Sequence, residues 1–150
     1  MAIRPALPDD VDAIRALVER AYIRYVDRMG LRPAPMDEDY EARVACGQVH
    51  VAERPDGAVA GLIVLLAADD HVLVENVAVA PGDQGRGHGR ALLAFAEEQA
   101  RALRLPEVRL YTHVTMTENR AIYPHLGYRE DRVETGPGWK RVHFRKTVAS

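Results

Sequence analysis

Residues 75–93, which read ENVAVAPGDQGRGHGRALL, decide the fold of this chain. The apolar residues before Pro81 predict a strand, and glycines at alternate positions (Gly85, Gly87 and Gly89) predict a turn with few side chains. The alanine and leucines that follow predict the start of a helix. Backbone N–H groups converge in such a turn, and the helix N-terminus behind it adds partial positive charge. The segment therefore predicts a phosphate-binding loop.

Two common phosphate-binding loops do not fit this spacing. A Walker A loop continues from its last glycine with Lys and then Ser or Thr, whereas Gly87 is followed by His88 and Gly89. A dinucleotide-binding loop needs a third glycine that neither reading frame supplies. What remains is Gln84-x-x-Gly87-x-Gly89 after a strand. Taken alone, this pattern also suits a glycine-rich surface turn.

A second informative segment is residues 115–128, which read TMTENRAIYPHLGY. Thr115 followed by Glu118 forms a capping-box pattern, which predicts the start of a helix. Gly127 is the residue type best suited to a left-handed helix C-terminus. The segment therefore predicts a short helix that ends just before Gly127.

Together the two segments resemble the motifs of the GNAT superfamily, the acetyl-CoA-dependent N-acyltransferases. The first matches the pyrophosphate loop of that superfamily, [Q/R]-x-x-G-x-[G/A]. The second matches its later signature at Asn119, Tyr123, Gly127 and Tyr128. The resemblance rests on these motifs between residues 70 and 130, and elsewhere on the order of elements.

Hydrophobic periodicity along the chain predicts the order βααβββαβαββ, with no linker and no repeat. The resemblance implies the same order, in an α/β fold with one mixed sheet and helices on both faces. The predicted strands are residues 3–7, 49–52, 59–66, 72–79, 108–114, 128–134 and 140–147. The predicted helices are the motif helix, residues 37–45 and 89–105, and a first helix capped by Asp9 or Asp10. The apolar face of that first helix is Val11, Ile14, Leu17, Val18, Ala21, Tyr22 and Tyr25.

Bulk properties narrow the class of protein. A chain of 150 residues is expected to form a single domain, residues 1–150. Its net charge is −2, and acidic and basic residues are mixed along the chain, so a nucleic-acid partner is not expected. Cys46 is the only cysteine, which excludes an intrachain disulfide and fits a reducing compartment. The N-terminus has no apolar signal core, no apolar run reaches membrane-spanning length, and the histidines lack metal-ligand spacing. We expect a cytoplasmic protein without a membrane or metal partner.

The resemblance implies acetyl-CoA, or coenzyme A, as co-substrate. Its pyrophosphate is expected on the loop, mainly through backbone amides, although Arg86 could equally be a solvated side chain. Its pantetheine arm is expected to pair with the strand before the loop and with Asn119, a residue that could instead serve the helix N-terminus. The implied cofactor-binding residues are Val77, Ala78, Val79, Gln84, Gly85, Arg86, Gly87, His88, Gly89, Arg90 and Asn119.

Amide formation from a thioester needs a neutral amine and a protonated leaving thiol. Strand alternation places Glu75 on the same face as Leu73 and Val77, where burial would raise its pKa and make it a better base. The resemblance implies that Glu75 is the base, and the alternative is a structural pair with an arginine. It implies that Tyr123 is the general acid, and the alternative is a core tyrosine.

The acyl acceptor is expected in a pocket apart from the phosphate loop. The resemblance places the acceptor pocket at residues 25–40 and 134–140. The acidic residues Asp37, Glu38 and Asp39 could attract a cationic amine, or could supply the negative charge that a helix N-terminus favours. Three functions stay open: transfer to a small-molecule or amino-acid amine, transfer to a protein or peptide, and non-catalytic acyl-CoA binding. By analogy a homodimer is expected.

Overall fold

The predicted elements are all present in the predicted order, βααβββαβαββ, which is confirmed. The computed structural model describes residues 2–30 and 32–148. Within these residues the strands are β1 (Ala2–Pro5), β2 (Val49–Glu53), β3 (Val59–Ala67), β4 (His71–Val79), β5 (Glu107–His113), β6 (Arg129–Gly136) and β7 (Trp139–Thr147). The helices are α1 (Val11–Met29), α2 (Tyr40–Ala45), α3 (His88–Ala102) and α4 (Thr117–His125).

The strands follow the order β1-β2-β3-β4-β5-β7-β6 in a mixed sheet, so the predicted α/β class is confirmed. β4 and β5 are parallel, while β5 with β7 and β6 with β7 are antiparallel. The chain divides into two compact units. The first contains Met1–Leu65 and Asn76–Ala94, and the second contains Leu66–Glu75 and Phe95–Ser150.

In the first unit, α1 buries the predicted apolar face, except that Tyr22 is only half-buried. α2 begins at Tyr40 instead of residue 37, so the predicted start is wrong. The prolines at 33 and 35 favour a 3₁₀ turn over Ala34–Asp37. Asp39 then caps α2, because its carboxylate accepts a hydrogen bond from the Ala42 amide at 3.1 Å.

The first turns of α3 lie close to β3 at Gly61. A Cβ atom added to Gly61 would lie 3.0 Å from the carbonyl oxygen of Ala78 and 3.1 Å from Cδ1 of Leu92. The Leu92 side chain is fully buried. A larger residue at position 61 would therefore require the Ala78 backbone and the Leu92 side chain to shift by a few tenths of an ångström.

In the second unit, β5 and β7 alternate between a buried apolar face and a half-exposed polar face. Val108, Leu110, Val142 and Phe144 are buried, and each such side chain stabilises the fold by about 1.5–3 kcal/mol. β6 is an edge strand that is mostly exposed, charged and irregular in register between Glu130 and Arg132. Charge and a bulge both discourage pairing of this edge with another chain.

The two ends of α4 differ in how well they were predicted. The predicted capping box is wrong: the N-cap is Met116, with no side-chain cap, and the Thr115 hydroxyl lies 2.8 Å from Nδ1 of His113. The predicted left-handed glycine is confirmed, since Gly127 has φ of +91°. The amides of Gly127 and Tyr128 bond to the carbonyls of Pro124 and Tyr123 at 3.1 Å each. These are the two bonds of a Schellman motif.

Within the described part of the chain, no helix is long and apolar enough to cross a bilayer. The same residues contain no group of three or more His, Cys, Asp or Glu side chains arranged to hold a metal ion. The Cys46 thiol is free and exposed.

Candidate active site

The loop between β4 and α3 has the backbone that its glycines predict. Gly85 and Gly87 have φ of +81° and +83°, a left-handed conformation that other residues adopt only with strain. A Cβ atom added to either glycine would meet nothing within 4 Å. The loop is therefore open on its outer side, with room for a ligand against its backbone.

The helix behind this loop begins with amides that precede its first hydrogen bond to the loop. The first hydrogen bond that α3 makes with the loop runs from the amide of Ala91 to the carbonyl of Gly87, at 3.0 Å. The amides of Gly89 and Arg90 precede it, where a helix has no carbonyl one turn earlier to accept their hydrogen bonds. Gln84 folds back to donate from Nε2 to the carbonyl of Val79 at 3.2 Å. The predicted residues 84–90 thus form one continuous, largely exposed segment at the start of α3.

A buried carboxylate, which the sequence analysis missed, anchors this loop. The Asp83 side chain is only 4% exposed, and both its oxygens lie 3.3 Å from Nη1 of Arg54. Arg54 lies in the turn between β2 and β3 and also pairs with Asp56. An Asp among loop glycines carries no sequence signal for such a distant partner. The pair fixes the start of the loop against that turn.

The end of β4 is held from the other side by a chain of hydrogen bonds. The Tyr22 hydroxyl donates to Oδ1 of Asn76 at 2.5 Å and lies 3.4 Å from the carbonyl of Val77. Nδ2 of Asn76 donates to the Tyr40 hydroxyl at 3.0 Å, and that hydroxyl donates to the carbonyl of Pro35 at 2.5 Å. The network joins α1, the 3₁₀ turn and α2 to the backbone of β4. It orients the strand segment, Val77 to Val79, that was predicted to pair with pantetheine.

Glu75 lies in the second unit, half-exposed on β4, so the predicted burial of its carboxylate is wrong: the buried face of this strand is the opposite one. The parallel pairing of β4 with β5 runs from His71–Glu107 to Val74–Leu110, so Glu75 lies one residue beyond it. The Tyr111 hydroxyl donates to Oε1 of Glu75 at 3.3 Å. Among residues 2–30 and 32–148, no Arg or Lys lies within ion-pair distance of Glu75, so the predicted alternative of an arginine pair is not found.

Around Tyr111, β5 and β7 carry a group of polar and aromatic side chains that the sequence analysis did not bring together. Tyr111 lies opposite His143, and the two ring centroids are 5.6 Å apart. The Arg141 guanidinium lies over the Tyr111 ring, 4.6 Å from its centroid, and over the Trp139 ring at 4.5 Å. The alternation of side chains within each strand could be predicted from the sequence. The register in which β5 pairs with β7 could not, because the two strands are distant in the sequence.

Two titratable groups border this cluster. Nδ1 of His113 accepts a hydrogen bond from the Thr115 amide at 3.2 Å, while burial, together with the charge of Arg141, lowers the pKa of His113. The neutral imidazole is therefore favoured. Nε2 of His143 lies 2.9 Å from Oε1 of Glu134, a hydrogen bond that lowers the pKa of Glu134. Arg141 accordingly has a neutral ring on one side and an acid bound to His143 on the other.

Tyr123 and Asn119 lie on α4. The Tyr123 side chain is buried, with its ring edge-on to Phe144 at 5.3 Å and tilted against Tyr128 at 6.3 Å. The Tyr123 carbonyl accepts one of the two hydrogen bonds of the Schellman motif, so the helix C-terminus fixes the backbone of this residue. Nδ2 of Asn119 donates to the buried Thr112 hydroxyl at 3.3 Å, which ties the first turn of α4 to β5.

The acidic cluster before α2 has local partners. Asp37 pairs with Arg32 at 3.1 Å, Glu38 pairs with Arg43 at 2.5 Å, and Asp39 caps the helix. These contacts favour the helix N-terminal interpretation of the cluster over attraction of a cationic amine.

Comparison with known proteins identifies the family of the chain. The model of the acetyltransferase (GNAT) domain matches residues 45–130. No curated protein matches the chain. Among solved structures, a GNAT-family acetyltransferase from Desulfovibrio desulfuricans is similar, with a TM-score of 0.78 and 24% identity over 99% of each chain.

Two further structures show the same fold at lower identity. The PaiA N-acetyltransferase from Thermoplasma acidophilum, in complex with coenzyme A, has a TM-score of 0.81 and 16% identity over 97% of this chain and 98% of its own. The ribosomal-protein-S18-alanine N-acetyltransferase from Escherichia coli has a TM-score of 0.76 and 18% identity over 99% and 94%. The family match covers more than half of the chain and contains both motifs. The chain therefore belongs to the GNAT family of acetyltransferases and is an acyltransferase.

Proposed function

We propose that this protein moves an acetyl group from acetyl-CoA to a primary amine of a small molecule or amino acid, by direct attack in a ternary complex. The observation that carries the proposal is the open loop before α3. Its left-handed glycines, Gly85 and Gly87, leave the backbone free of side chains at a helix N-terminus. In a GNAT chain, the ligand that suits such a loop is the pyrophosphate of coenzyme A.

The residues present fit this co-substrate. The backbone amides of residues 84–90 would bind the pyrophosphate, with charge added by the exposed Arg86. The backbone of Val77 to Val79 would pair with the amides of pantetheine, as an added strand does. Asn119, already oriented by Thr112, would add a hydrogen bond to the same arm.

The amine nitrogen attacks the thioester carbonyl carbon, the N–C bond forms, and the C–S bond breaks with its electron pair leaving on sulfur. Glu75, directly or through water, takes the proton that the nitrogen loses. The proton that the departing thiolate gains comes from Tyr123, which is later reprotonated from solvent. Binding both substrates together supplies the proximity effect, so no covalent enzyme intermediate is required.

Two features support these roles. Glu75 is half-exposed, with a hydrogen bond from the Tyr111 hydroxyl and no cation paired to it within the described residues, so its carboxylate is available as a base. Tyr123 is held by aromatic packing and by the helix end, so its ring has a defined position. The assignment of both roles comes from the family motifs.

The test is to mix purified protein with acetyl-CoA and a panel of amines, amino acids and short peptides, and to follow release of free thiol. Turnover with small amines or amino acids is expected. Turnover with peptides alone would favour transfer to protein. Binding of coenzyme A without turnover towards any acceptor would favour a non-catalytic acyl-CoA-binding module.

The proposal also includes a single functional domain over residues 1–150, acting in the cytoplasm as a homodimer. Sizing chromatography combined with light scattering tests the dimer, and an elution mass equal to the 16.7 kDa monomer would contradict it.

A further inference from the structure

The Arg141 guanidinium is held in place by aromatic rings. It lies over the faces of Tyr111 and Trp139, 4.6 Å and 4.5 Å from their centroids. Trp139 is itself fixed against Gly136, where an added Cβ atom would come within 2.2 Å of the indole ring. An arginine stacked in this way has lost much of its freedom before any ligand arrives, which favours tight binding.

Arg141 differs from the other arginines on this face of β5 and β7. Arg145 pairs with Asp131 at 3.0 Å and Glu107 at 3.4 Å, and Arg109 pairs with Glu107 at 2.9 Å. Within residues 2–30 and 32–148, Arg141 makes no hydrogen bond and no ion pair, and its guanidinium stacks on the two rings. Its fork of N–H donors matches the two oxygens of a carboxylate.

The nearest protein acid is engaged elsewhere. Glu134 lies opposite Arg141 in the β6–β7 register, yet its carboxylate contacts Nε2 of His143 at 2.9 Å. His113, opposite Arg141 in the β5–β7 register, has its neutral form favoured by burial. The charge of Arg141 helps to lower the pKa of Glu134, but within the described residues no ion pair or hydrogen bond joins the two side chains. The N–H donors of Arg141 are therefore left for an anion from outside the chain.

An acid lies at the other end of the same tyrosine. Arg141 covers the face of the Tyr111 ring, and the Tyr111 hydroxyl donates to Glu75 at 3.3 Å. A positive group and a negative group are thus separated by about one phenol ring. A molecule with a carboxylate and an ammonium group a few bonds apart is complementary to that pair.

We propose that Arg141 binds a carboxylate of the acyl acceptor, and that the acceptor is therefore an amine with a carboxylate close to its nitrogen, such as an α-amino acid. The inference rests on the proposed function, because it assigns the acceptor of that same reaction. With the carboxylate on Arg141, the amine lies towards Glu75, the group that takes its proton. The N-terminal residue of a peptide has no free carboxylate in this position, so peptides are poor acceptors.

Binding can be measured without turnover, because Trp139 is the only tryptophan in the chain. In the presence of coenzyme A, the protein is titrated with each protein-forming amino acid and with its carboxamide, and Trp139 emission is recorded. At least one amino acid is expected to give a saturable change. Its carboxamide is expected to bind roughly 10- to 100-fold more weakly, as for loss of one charge-assisted pair.

Matched variants distinguish a specific contact between Arg141 and the carboxylate from a general effect of positive charge on this face. Arg141→Gln is expected to bind the amino acid and its carboxamide equally weakly. Arg141→Lys is expected to retain part of the preference, because it keeps a cation without the planar fork. Arg145→Gln, on the same strand and face, should keep the full preference. Thermal melting checks that each variant folds. If Arg141→Gln does not fold, Arg141→Lys supplies the test.

Steady-state measurement of thiol release distinguishes failure of the Arg141 inference from failure of the proposed acetyl transfer. The inference predicts that Arg141→Gln raises KM for the amino acid roughly 10- to 100-fold and leaves KM for acetyl-CoA unchanged. Turnover of amines with no dependence on a carboxylate, or a preference that survives in Arg141→Gln, would overturn the inference while leaving the proposed function intact. Absence of turnover with every amine would overturn the proposed function, and the Trp139 titration would still decide whether Arg141 binds carboxylates.

Discussion

Single residues differ in how far their surroundings define their chemistry. Glu75 has one hydrogen bond, from Tyr111, and is half-exposed, whereas Tyr123 is buried among aromatic rings. A base that exchanges protons with water benefits from exposure. An acid that protonates a single leaving group benefits from a fixed position. The two environments therefore suit the two proposed roles, and each role has its own test.

Replacement of Glu75 by Gln should lower kcat roughly 100- to 10,000-fold, because the amide keeps the shape of the side chain but cannot take a proton. KM for acetyl-CoA should not change, and the limb of the pH–rate profile that reports the base should disappear. Glu107→Gln is the matched control, since Glu107 is an ion-paired carboxylate in the same unit. A pH–rate profile that is the same in Glu75→Gln and the parent would remove Glu75 from the mechanism.

Replacement of Tyr123 by Phe should lower kcat roughly 100-fold or more, with KM for both substrates nearly unchanged. The ring contacts with Phe144 and Tyr128 remain in the variant, so its melting temperature should stay close to that of the parent. Full turnover by a folded Tyr123→Phe protein would mean that Tyr123 is a core residue only.

Single residues were predictable from the sequence where the signal was local. Gly127 was predicted to be left-handed because few other residue types close a helix in that way, and it is. Thr115 was predicted to cap α4, but it lies one residue too early and its hydroxyl meets His113 instead. Arg141 depends on the register between β5 and β7, a pairing of distant segments that no local pattern contains.

At the scale of elements, the loop before α3 combines an unusual backbone with an anchored start. Gly85 and Gly87 are left-handed, while Asp83 is buried against Arg54. An anchored and open loop has little conformational entropy to lose when a phosphate binds. Its geometry, more than any side chain, is therefore expected to determine affinity for coenzyme A.

Gly87→Ala should weaken coenzyme A binding about tenfold, because a left-handed alanine is strained by roughly 1–2 kcal/mol and the loop relaxes away from its binding shape. Gly82→Ala is the control within the same loop. Gly82 is not left-handed and an added Cβ there meets nothing within 4 Å, so its effect should be small. Equal affinities in the two variants, measured by calorimetry, would contradict a backbone-defined site.

The elements themselves were predictable because their hydrophobic periods are strong. The strand and helix order follows from alternation in β4 and β5 and from the apolar stripe of α1. The start of α2 was missed because its acidic residues look helical, while the prolines before them enforce a 3₁₀ turn. A predicted helix boundary is wrong in this way where residues that suit a helix by composition instead form a turn or a cap before it.

At the scale of the whole molecule, charge pairs tie distant parts of the sequence together within each unit. Arg4 of β1 donates to both oxygens of Asp10, at 2.8 Å and 3.0 Å, and also bonds to Glu53. The hydrogen bonds from Arg4 hold the pKa of Asp10 below its ordinary value of 3.8. Part of the stability of the fold should therefore depend on pH.

The sign of this dependence follows from the lowered pKa. Asp10 contributes its full stabilisation above the ordinary carboxyl pKa, and loses it as the pH falls through the lower pKa of the folded state. Arg4→Gln should therefore be less stable than the parent at about pH 7, and the difference should shrink below about pH 4. Urea unfolding at both pH values tests this. A stability difference that is constant with pH would show that Arg4 acts through packing instead.

The most direct test of the central claim, acetyl transfer from acetyl-CoA to an amine, is a reaction followed by two readouts at once. Free thiol is quantified by a chromogenic reagent, and the N-acetylated acceptor is quantified by mass spectrometry. Both products are expected to appear together in equal amounts, with an amino acid or similar small amine as acceptor. Tight binding of coenzyme A with neither product formed, across small amines, peptides and protein acceptors, would contradict it.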